Sequence, residues 1–297
     1  MTRRSLALAA AAALLSVLRP RALAAAEGDL SASWLSPSLE LGEVVPAAPE
    51  APGTPASVMV VSRGAYQIAI VRGARDAGPA RTGDADDLRV RTSSGGFAPL
   101  PPGVPVTVAS GSATQGAGAV VSVELRASAT YDAAPGARRE RLRLLLNGQP
   151  VDAELLLRWT VAPAFAVSSD PRPYDLRTVE PGAPGRYALE PRAYVVTTNA
   201  PWRLEALVRD VPKQRGTLEA LAPESLEVQT EFEGRKVLRP GAPVVVARGA
   251  ATGRAGRSVS LRLLLSSGGD ETAGLYHGEI DVRVLPADAP ATVEAVR

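Results

Sequence analysis

The strongest constraint on this chain is that it contains the same pattern twice. Leu88-Arg-Val-Arg-Thr92 recurs 138 residues later as Leu226-Glu-Val-Gln-Thr230. At the same offset Pro102-Gly103-Val104-Pro105-Val106 recurs as Pro240-Gly241-Ala242-Pro243-Val244. Gly111, Ala113 and Thr114 fall on Gly249, Ala251 and Thr252, and Gly118, Val121, Ser122, Leu125 and Gly136 fall on Gly256, Val259, Ser260, Leu263 and Gly274. A register kept over so many positions marks an internal repeat. Upstream, Val58–Tyr66 aligns with Tyr194–Trp202 at offset 136, and Leu41, Val44, Pro46 and Pro49 align with Leu176, Val179, Pro181 and Pro184 at offset 135. The slips lie between apolar runs, where loops absorb insertions. The repeat predicts one domain over 27–163, a second over 164–286 and a short flexible tail over 287–297.

Each copy has the pattern of short strands. Tyr66, Ile68 and Ile70 alternate with other residues, as do Trp202, Leu204, Ala206 and Val208, and a period of two marks a half-buried strand. Val106–Ala109, Val120–Leu125, Val244–Ala247 and Val259–Leu265 are β-rich runs between turn clusters. Asn147-Gly148 signals a two-residue hairpin. The 26 prolines disfavour long helices, and no helical period is sustained beyond the N-terminus. About seven short strands in roughly 125 residues, with regular turns, predict an antiparallel β-sandwich for each copy. The chain is therefore predicted to be all-β, two tandem sandwiches. The arm Val151–Val161 has no clear mate in the second copy; it is either an added strand or the counterpart of Glu279–Leu285, and the glycine register favours the first.

Residues 1–26 carry the three regions of a secretory signal: Arg3 and Arg4, the apolar run Ser5–Leu18, and the small-x-small pattern Ala22-Leu23-Ala24. That apolar run is too short for a comfortable membrane crossing at about 20 residues. Thr2-Arg3-Arg4-Ser5-Leu6 also resembles a twin-arginine signal, so the sequence leaves the export route open. Export places the mature chain in the periplasm or at the cell surface. The whole chain has 33 basic and 31 acidic residues, and removing the signal's four arginines leaves 29 against 31. No dense basic patch remains for nucleic acid. No second apolar stretch of about 20 residues predicts a transmembrane segment in the mature chain.

Several chemistries are excluded by residue type. There is no cysteine, which rules out disulfides, thiolate metal sites, cysteine nucleophiles and a cysteine-linked lipid anchor. The one histidine, His277, follows Tyr276 in the last part of the second copy, and Arg139 stands at the matching position of the first. A catalytic role would need a nucleophile and an orienting acid beside it. Gly-x-Ser-x-Gly, the phosphate loop and the dinucleotide fingerprint are all missing. Asp84-Ala-Asp86-Asp87 is the one tight acidic cluster, and only Glu224 matches it in the second copy, so a solvated loop explains it better than calcium. No catalytic residue, cofactor or metal is predicted.

Ser36-Pro-Ser-Leu39-Glu-Leu41-Gly42-Glu-Val44-Val-Pro46, followed by Val58-Met-Val-Val-Ser62 and Tyr66-Gln-Ile68, resembles immunoglobulin-like domains of bacterial secreted and surface proteins. The second copy matches in Val195–Asn199 and carries Arg177 where the glycine would stand. The resemblance implies fold and setting only. Trp202 and Tyr66 hold equivalent inward positions and are predicted core residues. Trp34 and Trp159 are the candidates for contact with a partner. The expected function is an exported, non-catalytic structural or adhesive protein that meets a protein partner or assembles through edge strands. A periplasmic chaperone or a carbohydrate-binding module is the alternative, and a hydrolase the third.

Overall fold

The computed structural model describes residues 30–49, 52–73, 86–114, 116, 118–169, 174–177, 185–211, 213–214, 221–268 and 275–289. The signal and Asp84 lie outside them. Every regular element among them is a β-strand.

The first copy holds β1 (Leu30–Trp34), β2 (Ser38–Val44), β3 (Thr54–Ser62), β4 (Tyr66–Arg72), β5 (Asp86–Arg91), β6 (Phe97–Pro99), β7 (Val106–Gly111), β8 (Ala119–Ala129), β9 (Gly136–Leu146) and β10 (Gln149–Val161). They form two five-stranded sheets, ordered β1-β3-β8-β5-β6 and β2-β10-β9-β4-β7. Alternate residues of each strand turn inward: Val58 and Val60, Ile68 and Ile70, Leu142, Leu144 and Leu146, Leu155, Leu157, Trp159 and Val161 fill the core. Burying each large side chain is worth about 1.5–3 kcal/mol. Asn147 and Gly148 both take positive φ, 51° and 78°, and close the β9–β10 hairpin with Gln149 opposite Leu146. Among the described strands, pairing is antiparallel except that β2 runs parallel to β10, with Leu157 opposite Leu39. The chain leaves the first sheet after β1 and joins the second as β2, so the opening strand serves both layers.

The second copy holds β11 (Phe165–Ser169), β12 (Tyr174–Arg177), β13 (Gly185–Ala188), β14 (Arg192–Thr198), β15 (Trp202–Val208), β16 (Lys213–Gln214), β17 (Leu226–Thr230), β18 (Gly234–Val237), β19 (Val244–Gly249), β20 (Arg257–Ser267), β21 (Leu275–Gly278) and β22 (Ile280–Pro286). One face is β11-β14-β20-β17-β18, with β13 also on β20; the other consists of β19-β15-β22 and β12-β21-β16. Its own core gathers Val196, Trp202, Leu204, Ala206, Val228, Val246, Leu261 and Leu263.

The repeat seen in sequence is a repeat of structure in fine detail. Gly103 and Gly241 share φ of 74°, and their N–H groups donate to the carbonyls of Arg72 and Val208, both at 2.9 Å. A positive φ in that tight turn is cheap only for glycine. The Thr114 hydroxyl accepts from the Ser62 N–H at 2.9 Å, and Thr252 does the same for Thr198. Even the bulge is copied: the β4–β7 register slips after Ile68, and the β15–β19 register slips after Leu204. The copies are more finely divided than seven strands each, because the opening strand is split between layers and the second copy's long strands are interrupted.

The duplicated frame carries different charges. Arg72 and Glu140 form a buried bidentate ion pair in the first copy, where Val208 and Gly278 stand in the second. The second copy instead buries Glu205 between Arg203 at 2.9 Å and Arg283 at 3.2 Å, where the first has Gln67, Ala69 and Leu145.

Candidate functional site

Two features set the protein apart from a plain tandem of sandwiches: a polar joint between the copies, and a strand edge in the second that no described strand covers.

The joint centres on Asn199, in the turn between β14 and β15. Its carboxamide donates to the carbonyls of Ala133 and Ala162, each at 3.0 Å, and accepts the Ala164 N–H at 2.7 Å. Asn199 is 2% exposed, so all three bonds are made away from water, where an unpaired polar group is costly. Beside it the Asp132 carboxylate accepts the Arg254 backbone N–H at 2.9 Å and also the Arg254 Nε–H. Those two hydrogen bonds hold the Asp132 carboxyl below its ordinary pKa against a smaller opposing effect of burial. The loop after β8 is thereby fastened to two loops of the second sandwich. Arg63 occupies the place of Asn199 in the first copy, so the repeat itself gives no hint of the joint.

The open edge follows from comparing the copies strand by strand. Ile68, Ile70 and Arg72 of β4 face Leu146, Leu144 and Leu142 of β9. Leu204, Ala206 and Val208 of β15 face Val284, Val282 and Ile280 of β22. β22 is therefore the counterpart of the end of β9, and Val151–Val161 is an added strand, as the glycine register favoured. In the first copy β10 pairs with β9 down to Val161 opposite Gly136. In the second, β22 pairs with β15 alone among the described residues. β12 covers only the neighbouring stretch, with Leu176 opposite Tyr276.

Burial records the difference. Leu142, Leu144 and Leu146 are at most 2% exposed, while Ile280, Val282 and Val284 are half-buried although they pack on the same kind of core. β10 fills the first sandwich with Leu155, Leu157, Trp159 and Val161; the described residues contain nothing equivalent beside β22. A strand edge with unpaired N–H and C=O groups over partly covered apolar side chains is a template for another strand.

The structure does not bring the candidate residues of the sequence together at a surface. Trp159 is 2% exposed on the inner face of β10, and Trp34 is partly buried against the same core. His277 lies in β21, with Asp175 of β12 and Lys213 of β16 opposite it in backbone register. Asp86 and Asp87 belong to β5 and not to a loop before it, because they pair with Ala129 and Ser128 of β8, and the Asp87 carboxylate accepts the Arg89 Nε–H at 2.8 Å. Among the described residues no three His, Asp or Glu side chains gather as a metal site, and no helix is long and apolar enough to cross a membrane. A cavity of about 150 Å³ opens between Leu41, Val44, Pro49, Pro52 and Arg126, and the Arg126 guanidinium lies 4.0 Å from the centre of the Phe97 ring. The open edge went unseen in sequence because it is a missing mate; the unmatched arm Val151–Val161 was its one trace.

No family model matches the chain, and no curated protein matches it at a significant level. Among solved structures it is similar to a chain of the CsuC–CsuE chaperone–tip adhesion subunit pre-assembly complex of archaic chaperone-usher Csu pili from Acinetobacter baumannii, with 11% identity, a TM-score of 0.44, and coverage of 86% of this chain and 99% of that one. It is also similar to a chain of a chaperone–tip adhesin complex of CFA/I fimbriae, at 13% identity and a TM-score of 0.33, covering 84% of this chain and 96% of that one. A third is the CupB6 tip adhesin from Pseudomonas aeruginosa, at 11% identity and a TM-score of 0.32, covering 87% of this chain and 95% of that one.

Proposed function

We infer that the protein is an exported, non-catalytic structural or adhesive component whose two sandwiches, 27–163 and 164–286, act as one body and engage a protein partner at a strand edge. The supporting observation is the β22 edge, unpaired among the described residues and flanked by half-buried Ile280, Val282 and Val284. A soluble domain usually blunts or covers such an edge, and an uncovered one is an interaction surface. The Asn199 and Asp132–Arg254 contacts supply the rigidity that a building block needs. Burial of Trp159 weighs against sugar binding, which uses exposed rings.

Three measurements test this reading. Fractionation of the native cell should find the chain outside the cytoplasm and cleaved near residue 26; an uncleaved cytoplasmic chain overturns export. Cross-linking in the native cell should trap the chain in a protein complex. Turnover in a broad hydrolase panel would overturn the non-catalytic role.

A further inference from the structure

We propose that the cavity between β2 and β8 of the first sandwich binds a free α-amino acid with a branched apolar side chain. This site is separate from the β22 edge and adds to the structural role. It arises because β2 leaves the first layer to pair with β10, and so stands across from β8 without joining its ladder. Leu41 and Val44 of β2 supply apolar wall, and Pro49 and Pro52 stiffen the rim. The volume is about 150 Å³. An apolar space of that size holds one molecule as large as benzene, and therefore an isopropyl or isobutyl group.

Two opposite charges border this apolar space. The Arg126 guanidinium lines it and is stacked 4.0 Å from the centre of the Phe97 ring, which fixes its plane. A guanidinium held in this way takes a carboxylate through two parallel hydrogen bonds. Glu43 lines the same cavity, is exposed, and forms no ion pair with a described residue. One cation and one anion over an apolar floor complement a zwitterion with an apolar side chain. A simple carboxylic acid would set its charge against Glu43, and a simple amine would set its charge against Arg126.

The backbone beside the cavity is strained. Ala47 has a φ of 57° and is one of two non-glycine residues with positive φ among those described. The other, Asn147, sits in a hairpin turn that favours it. An alanine in this conformation persists only where its surroundings impose it. Here the Ala47 N–H donates to the Ala129 carbonyl of β8 at 3.1 Å, and the Ala48 N–H donates to the Val45 carbonyl at 3.2 Å. The turn is thereby pinned to β8, with Val45 and Ala48 among the cavity walls. Strain of this kind collects at ligand clamps, and a wall formed in advance spares the ligand the work of ordering it.

The test compares three probes that share one branched apolar body: L-leucine, isovalerate and isoamylamine. Each is titrated into the full mature chain, and amide chemical shifts are followed by NMR. L-leucine should bind with a Kd of about 1 mM or tighter and move the amides of 41–49 and 126–129. Isovalerate lacks the ammonium and isoamylamine lacks the carboxylate, so each should bind about tenfold more weakly. Arg126→Gln should weaken L-leucine by about tenfold or more. Glu43→Gln changes an exposed position, so the fold is kept; it should bring L-leucine down to the level of isovalerate and leave isovalerate no weaker. The proposal is overturned if no probe binds below about 10 mM, if all three bind equally, or if the shifts fall elsewhere. A preference for L-leucine that survives Glu43→Gln overturns it too. None of these results bears on the β22 edge, which the native cross-linking tests separately.

Discussion

Asp132 of the first sandwich accepts a 2.9 Å hydrogen bond from the backbone N–H of Arg254 in the second, and the Arg254 side chain closes on the same carboxylate. This pairing of a loop acid with a main-chain donor joins two units that the sequence shows only as repeats. With the Asn199 hydrogen bonds to Ala133 and Ala162 it makes a polar contact between the two copies.

The joint should be acid-sensitive. The Arg254 hydrogen bonds hold the Asp132 carboxyl below its ordinary range, so their contribution is full above the unfolded pKa of about 3.9 and is lost as pH falls through the lowered folded value. Interdomain distances from small-angle scattering should be constant from neutral pH to about pH 4 and broaden below it. Asp132→Ala should broaden the distribution at every pH while costing no more than about 1 kcal/mol, the scale of an exposed pair.

Asn199→Ala should cost more than that. It strands the carbonyls of Ala133 and Ala162 and the N–H of Ala164 in a buried place. One buried unsatisfied group costs about 1–3 kcal/mol. Thermal melting should fall clearly, and the two sandwiches should begin to melt separately by calorimetry; a single unchanged transition would deny the joint its role.

The equivalent glycines Gly111 and Gly249 should respond unequally to alanine. A Cβ on Gly111 would lie 2.6 Å from the Tyr66 ring, and one on Gly249 would lie 2.9 Å from the Trp202 ring. Tyr66 is half-buried and can shift, but Trp202 is fully buried and its indole N–H donates to the Ala250 carbonyl at 2.8 Å. Overpacking costs about 1–3 kcal/mol. Gly249→Ala should sit at the upper end by denaturant titration and Gly111→Ala near the lower, despite its shorter contact.

Charge burial gives a further comparison. Glu140→Ala leaves the Arg72 guanidinium buried without its carboxylate and should cost about 3–5 kcal/mol. Arg72→Val combined with Glu140→Val, which imitates the apolar solution of the second copy, should recover most of that loss. Failure of the double variant to recover would mean that the pair is needed for more than its charge balance.

Truncation should cost less along the open edge than along its covered twin. Leu144→Ala should lose about 2–5 kcal/mol from a closed core. Val282→Ala, at the matching position, removes fewer atoms from a site that is only half-buried and should lose well under 2 kcal/mol.

Much of the frame was legible because it rests on local rules. Alternation in Tyr66–Ile70 and Trp202–Val208 marked strands, Asn147-Gly148 marked a hairpin, and a register of 138 residues marked the duplication, each from neighbours or from a simple offset. The missing chemistries followed from residue types alone. Other features were decided by contacts between residues far apart in the chain. Trp159 is an aromatic residue on an unmatched arm in sequence, and only the seating of β10 between β9 and β2 makes it core. Asn199 stands where the first copy has Arg63, and Asp132 is matched by Asp270 at the offset of 138, so the repeat does not single out either; they gain meaning when the fold brings them to Ala133 and Arg254 across the joint. The open edge of β22 is likewise a property of which strands lie side by side. Periodicity tells a strand which face to bury, and it is silent on who pairs with its edge, because backbone hydrogen bonds carry no residue identity.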